Sequence, residues 1–142
     1  MPKRHASAQW KGTLKAGNGT INTESGALKG AYSFGTRFEN QPGTNPEELI
    51  GAAHAGCFTM ALSARIEKAG FKPGNISTRA EVTLEKVGEG FKITTIQLET
   101  EASVPDIAED QFQELAQSAK ANCPVSQALA GVNIGLAAKL VS

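Results

Sequence analysis

Apolar and polar positions alternate along the first part of the chain. Ala8, Trp10, Gly12 and Leu14 alternate with Gln9, Lys11 and Thr13, a period of two that predicts a strand. "KAGNGT" supplies turn residues, and "TINTES" reads as the returning strand. A third strand is expected in "LKGAYSFGTRF", with Tyr32, Phe34 and Phe38 on one face and Ser33 and Arg37 on the other. The period then changes. "ENQPGTNPEELIG" reads as a loop entering a helix, with Asn45 as N-cap, Pro46 at the first helical position and Glu48 at the capping-box position. The helix is expected to run to Lys68 or Ala69 and stop at Gly70, about 24 residues or roughly 36 Å. In its first two-thirds His54 is the only polar ring among small and apolar residues, a pattern that belongs at the centre of a structure. Gly51, Ala52, Ala55 and Gly56 leave room for close packing, for instance against a second copy of the helix.

"ISTRAEVTLEKV" alternates again, "GEG" turns the chain, and "FKITTIQLETEASV" returns with a phase slip at Thr94–Thr95 that suggests a bulge. Pro105–Asp106 is expected to open a second helix. Its apolar stripe, Ala108, Phe112, Leu115, Ala116 and Ala119, reaches Cys123 when continued by four residues. Pro124 breaks that helix and can begin a short third one, and "VNIGLAAKL" closes as a strand. The order βββ-α-ββ-αα-β predicts an α+β fold with antiparallel sheet. One flat sheet cannot surround a long apolar helix. A dimer in which two sheets enclose two central helices would bury it. With no linker, repeat or low-complexity block, residues 1–142 read as a single domain.

Composition narrows the class. A formal net charge of zero gives no basic footprint for nucleic acid or an anionic membrane. No apolar run is read as reaching the roughly 18–20 residues of a membrane span. Lys3 and Arg4 have no apolar core behind them, so no secretory signal is read and a cytoplasmic protein is expected. The chain has two cysteines, Cys57 and Cys123. In a reducing compartment they are expected to be free, reactive or catalytic rather than a structural disulfide.

A thiol that acts as a nucleophile must be a thiolate, and burial opposes ionisation. Cys57 lies too far along its helix to feel much of the N-terminal dipole, so it needs a cation from elsewhere. His54, one turn away, and Arg37, in "GTRFE", are the candidates. Each also has a plainer reading, a satisfied core histidine and a solvated arginine. Glu47 and Glu48 divide by spacing. Glu48 is used at the helix end, whereas Glu47, ten residues before Cys57, is offset from it by about 80° and is the better placed to hold an arginine. Local physics alone favours Cys123 as the nucleophile, since it precedes Pro124 and can cap a short helix.

The stretches "GTNPEELIGAAHAGCFTMALS", "CPVSQAL", "NTESGAL" and "GTRFE" closely resemble the osmotically inducible protein C (OsmC) branch of the OsmC/Ohr family, over essentially the whole chain. The resemblance implies an OsmC-like intertwined homodimer with active sites at the subunit interface. It implies a thiol-dependent peroxidase of organic hydroperoxides, acting less well on hydrogen peroxide, in stress defence. It assigns the nucleophile to Cys57, the resolving thiol to Cys123, and the arginine and glutamate of the site to Arg37 and Glu47. No role for His54 carries over. An external dithiol, lipoyl-type in the Ohr branch, is the implied reductant, and no metal or organic cofactor is needed. Phe34, Phe38, Phe58 and Met60 are candidates for the apolar surroundings that favour an alkyl group. Two rival readings remain from the residues: a metal site of His54, Cys57 and Cys123, and a non-catalytic lipid- or partner-binding dimer with inert buried cysteines.

Overall fold

A computed structural model describes residues 1–141. The elements run β1 (Ala6–Lys11), β2 (Asn18–Thr23), β3 (Lys29–Tyr32), α1 (Phe34–Phe38), α2 (Pro46–Lys68), β4 (Ile76–Val87), β5 (Gly90–Ser103), α3 (Glu109–Asn122), α4 (Pro124–Ala128) and β6 (Asn133–Val141). The α+β class and the expected order hold, with α1 added. Internal contacts divide the chain into two compact units, Met1–Leu49 and Ile50 onward.

In the first unit, β1, β2 and β3 form an antiparallel sheet in that order. Trp10 and Tyr32 pack ring against ring across it, with centroids 5.3 Å apart. The third strand is shorter than its alternation suggested. Ser33 caps a helical turn by accepting from the Thr36 N–H, while Thr36 Oγ1 accepts from the Ser33 N–H. This reciprocal cap turns Phe34–Phe38 into α1. Arg37 therefore sits in a helical turn and not on a strand. The next cap is built by Asn45, whose Oδ1 accepts from the Glu48 N–H at 2.7 Å and whose Nδ2 donates to the Thr36 carbonyl. The Glu48 carboxylate takes the Thr44 hydroxyl instead of reaching back to the Asn45 backbone.

In the second unit β4 and β5 pair antiparallel, with the ladder shifting between Thr83 and Leu84 so that Thr94 is the extra residue of a bulge. β6 pairs with β5 in parallel, which corrects the all-antiparallel expectation. The crossover through α3 and α4 returns the chain to the same end of the sheet, and a parallel neighbour requires such a crossover. α3 also starts later than expected. Asp106 takes φ 70° and Ile107 is buried before the first helical residue, Glu109.

One face of α2 repeats every four residues. His54, Phe58, Leu62 and Ile66 are all fully buried. They belong with Ile96, Leu98 and Ala102 of β5 and Phe112, Ala116 and Ala119 of α3 to the core of this unit. Gly51 continues the stripe, and a Cβ there would stand 3.3 Å from a Val82 methyl. The other side of the helix exposes Ala52, Ala53, Gly56, Met60 and Ala64. By length and composition α2 is apolar enough to cross a membrane, contrary to the expectation that no stretch was. Its buried stripe makes it the core helix of the second unit. The helix ends as expected: Gly70 takes φ 95° and the Phe71 N–H closes on the Ile66 carbonyl.

Candidate active site

Cys57 lies one residue before the fully buried Phe58 of the stripe, so it stands at the edge of the buried face. It is half-buried, whereas Cys123 is 1 % exposed. That edge position accounts for a thiol in so apolar a stretch. Both cysteines are free. They are brought together although 66 positions separate them in sequence. Cys123 and the backbone N–H of Val125 are the polar neighbours that act on the Cys57 thiol.

Cys123 ends α3 and is the N-cap of α4, with Pro124 at the first helical position. Its sulfur accepts from the Ser126 N–H at 3.4 Å and donates to Ser126 Oγ at 3.1 Å. Ser126 Oγ in turn lies 2.7 Å from His54 Nε2. Sequence reasoning missed Ser126. The signal available was its place three residues after a capping side chain, where the backbone N–H must find an acceptor.

Electrostatics within this cluster oppose a thiolate at Cys57. Burial pushes its thiol above the ordinary cysteine value, and the neighbouring Cys123 pushes it the same way, while the Val125 N–H pulls it down. His54 does not supply the missing cation. Burial holds its pKa below the ordinary value, which favours the neutral ring. Its Nε2 is engaged by Ser126, and its Nδ1 is buried without a hydrogen-bond partner among the described residues. Among the described residues no three His, Cys, Asp or Glu side chains converge as a metal site.

Arg37 and Glu47 meet in the first unit. Nε and Nη2 donate to the two carboxylate oxygens at 3.0 Å each, a bidentate pair. Glu47 is 7 % exposed, while the Arg37 side chain is 37 % exposed and its Nη1 makes no hydrogen bond among the described residues. Beside the pair is a cavity of about 230 Å³ lined by Trp10, Leu14, Tyr32, Phe34, Phe38 and Arg37. Phe34 and Phe38 thus line an aromatic pocket. Phe58 does not serve as a pocket wall, because it is fully buried in the core, and Met60 is 77 % exposed on the far face of α2.

A family model described as OsmC-like protein matches residues 38–137. The chain belongs to the OsmC-like family. The match takes in α2, both cysteines and Glu47, and begins one residue after Arg37. Among OsmC-like relatives, Peroxiredoxin OsmC of Escherichia coli strain K12 is 56 % identical over 123 residues, 86 % of each chain. The organic hydroperoxide resistance protein OhrB of Bacillus subtilis is 33 % identical over 95 residues, 66 % of this chain and 67 % of its own. Its crystal structure superposes with a TM-score of 0.69, covering 96 % of this chain and 98 % of that one. The OsmC-like protein of Mycoplasma pneumoniae shares the fold at a TM-score of 0.77 and 15 % identity, covering 99 % of both chains.

Proposed function

We propose that the protein is a cysteine-based peroxidase that reduces organic hydroperoxides to alcohols. The observation that carries this reading is the closeness of two free thiols of unequal exposure, half-buried Cys57 and buried Cys123. Relatives named peroxiredoxin and organic hydroperoxide resistance protein support it. Unequal exposure also favours Cys57 over Cys123 as the group that meets substrate. The helix-cap geometry of Cys123 suits a thiol that waits beside it.

The chemistry follows from these positions. The Cys57 thiolate attacks the outer oxygen of the hydroperoxide, the O–O bond breaks, and the departing alkoxide takes a proton to become the alcohol. Cys57 is left as the sulfenic acid. Cys123 attacks that sulfur, the S–O bond breaks, water leaves and a Cys57–Cys123 disulfide forms. An external dithiol, possessing the reach of a lipoyl-type group, restores both thiols by exchange. Because burial and Cys123 both oppose the Cys57 thiolate, a cation has to offset them. Arg37 is that cation in this reading, and Glu47 fixes its guanidinium while leaving Nη1 for the sulfur or the peroxide. The aromatic pocket beside Arg37 takes the alkyl group, which favours organic hydroperoxides over hydrogen peroxide. No step calls for a metal or organic cofactor.

The working assembly is a homodimer with active sites at the subunit interface. The exposed stripe of Ala52, Ala53, Gly56 and Ala64, with the apolar Met60 among them, supports this, since small side chains let a second helix approach closely. A cytoplasmic site and a role in stress defence fit free, reducible cysteines. The test is turnover with a small dithiol as reductant. Cumene hydroperoxide is expected to be consumed faster than hydrogen peroxide, and Cys57→Ser to consume neither. Peroxide consumption undiminished in Cys57→Ser would overturn the reading.

A further inference from the structure

Two side chains at the start of α4 and one from the middle of α2 form a continuous polar line inside an apolar core. Cys123 Sγ donates to Ser126 Oγ at 3.1 Å, and Ser126 Oγ lies 2.7 Å from His54 Nε2. All three are buried: Cys123 1 %, Ser126 5 % and His54 0 % exposed. The line starts at the thiol that acts on Cys57 and ends at a ring one helical turn before Cys57. We propose that Ser126 and His54 are a proton relay for Cys123, making it a competent nucleophile when it attacks an oxidised Cys57.

The geometry gives the proton a complete path. With His54 neutral and its proton on Nδ1, the thiol donates to the serine oxygen and the serine hydroxyl donates to Nε2. As Cys123 Sγ bonds to the Cys57 sulfur, its proton passes to Ser126 Oγ while the serine proton passes to His54 Nε2. In the peroxidase cycle the imidazolium then returns one proton by the same line to the hydroxide leaving Cys57, and water departs. One thiol proton and one hydroxide account for that water, so the relay ends as it began.

The cost of the histidine argues against a packing role. A buried side chain there has every reason to be apolar, since its neighbours along the stripe are Phe58, Leu62 and Ile66. His54 instead leaves Nδ1 buried without a partner among the described residues, a defect that structural histidines ordinarily avoid. Among the described residues its one side-chain hydrogen bond is to Ser126. Burial keeps the ring ready to accept, because it favours the neutral form. Other titratable groups do not compete for it. α4 carries none, the charged side chains of β4 and β5 are exposed apart from their apolar faces, and Lys120 on α3 is half-buried near its end. On α2 itself, Glu47 is paired with Arg37 and Arg65 donates to Ser118.

The proposal shares with the peroxidase reading only the closeness of the two thiols, and it can be tested without peroxide. The reduced protein is treated with dithiobis(nitrobenzoate), which loads the more accessible Cys57 and releases one thionitrobenzoate. Attack by Cys123 on that mixed disulfide releases a second and transfers its thiol proton to the relay. In His54→Gln and Ser126→Ala the first release should keep its rate. The second should slow on the order of 100-fold near neutral pH, the scale of a lost general base. Above the ordinary range of thiol ionisation hydroxide does the deprotonation, so the variant and parent rates should converge there. A second release that is unslowed at neutral pH, or slowed equally at every pH, would overturn the relay. Failure of the peroxidase reading would appear separately, as a protein that passes this test yet consumes no hydroperoxide.

Discussion

A thiolate at Cys57 has to be held against its surroundings. Burial and the neighbouring Cys123 both raise its pKa, and the Val125 N–H offsets them only in part. Removing the proposed cation should therefore be visible in pH. In Arg37→Ala the rate of Cys57 with a hydroperoxide should require higher pH, the profile moving up by roughly 1–3 units, the usual effect of one opposite charge. An unmoved profile in stopped-flow measurements would remove Arg37 from the chemistry. His54 carries the opposite sign of linkage. Its folded pKa lies below the ordinary value of 6.5, so its contribution to stability is present above that value and lost as pH falls through the lowered one. His54→Gln, which cannot titrate, should lose less Tm than the parent between about pH 7 and about pH 5. An equal loss in both proteins, measured by calorimetry, would contradict the assignment of His54 as a buried neutral ring. At this scale the sequence already showed both cysteines, Arg37 and Glu47. Ser126 stood out only as a helix-cap position, because the partner that gives the serine its further meaning lies 72 residues away.

Helix α2 depends on its start. Asn45 satisfies the Glu48 N–H and ties the loop to the Thr36 carbonyl, so one side chain joins α1 to α2 where Arg37 and Glu47 pair. Asn45→Ala should cost about 1 kcal/mol, the usual value of an N-cap, read as a lower denaturant midpoint at unchanged m. A midpoint that does not move would show the cap to be idle. The elements that could be read in advance are those with a long, single period. α2 and the β4–β5 hairpin with its bulge at Thr94 are of this kind. α1 was hidden because Phe34 and Phe38, four apart, satisfy the period of a strand and of a helix alike. The direction of β6 was hidden for a different reason. Alternation tells which face a residue occupies and carries no information on whether its neighbour runs parallel. The late start of α3 was masked by Pro105, which reads as a first helical residue but here precedes a left-handed Asp106.

Across the whole molecule, one long helix uses both of its faces. His54, Phe58, Leu62 and Ile66 close one core, and Ala52, Ala53, Gly56, Met60 and Ala64 are left exposed. On an isolated chain Met60→Lys would be nearly neutral, within about 0.5 kcal/mol, as surface changes are. In the proposed homodimer it buries a charge between helices, and sedimentation should then show dissociation of a parent dimer. A parent that sediments as a monomer would contradict the assembly. The central claim is narrower: the two thiols are one redox couple, opened by a hydroperoxide at Cys57. Intact-mass analysis with peptide mapping, after a stoichiometric pulse of an alkyl hydroperoxide on the reduced protein, tests it most directly. The account predicts a loss of two hydrogens and a single Cys57–Cys123 crosslink. Both cysteines still alkylatable, or oxygen added to Cys57 with no crosslink, would contradict it.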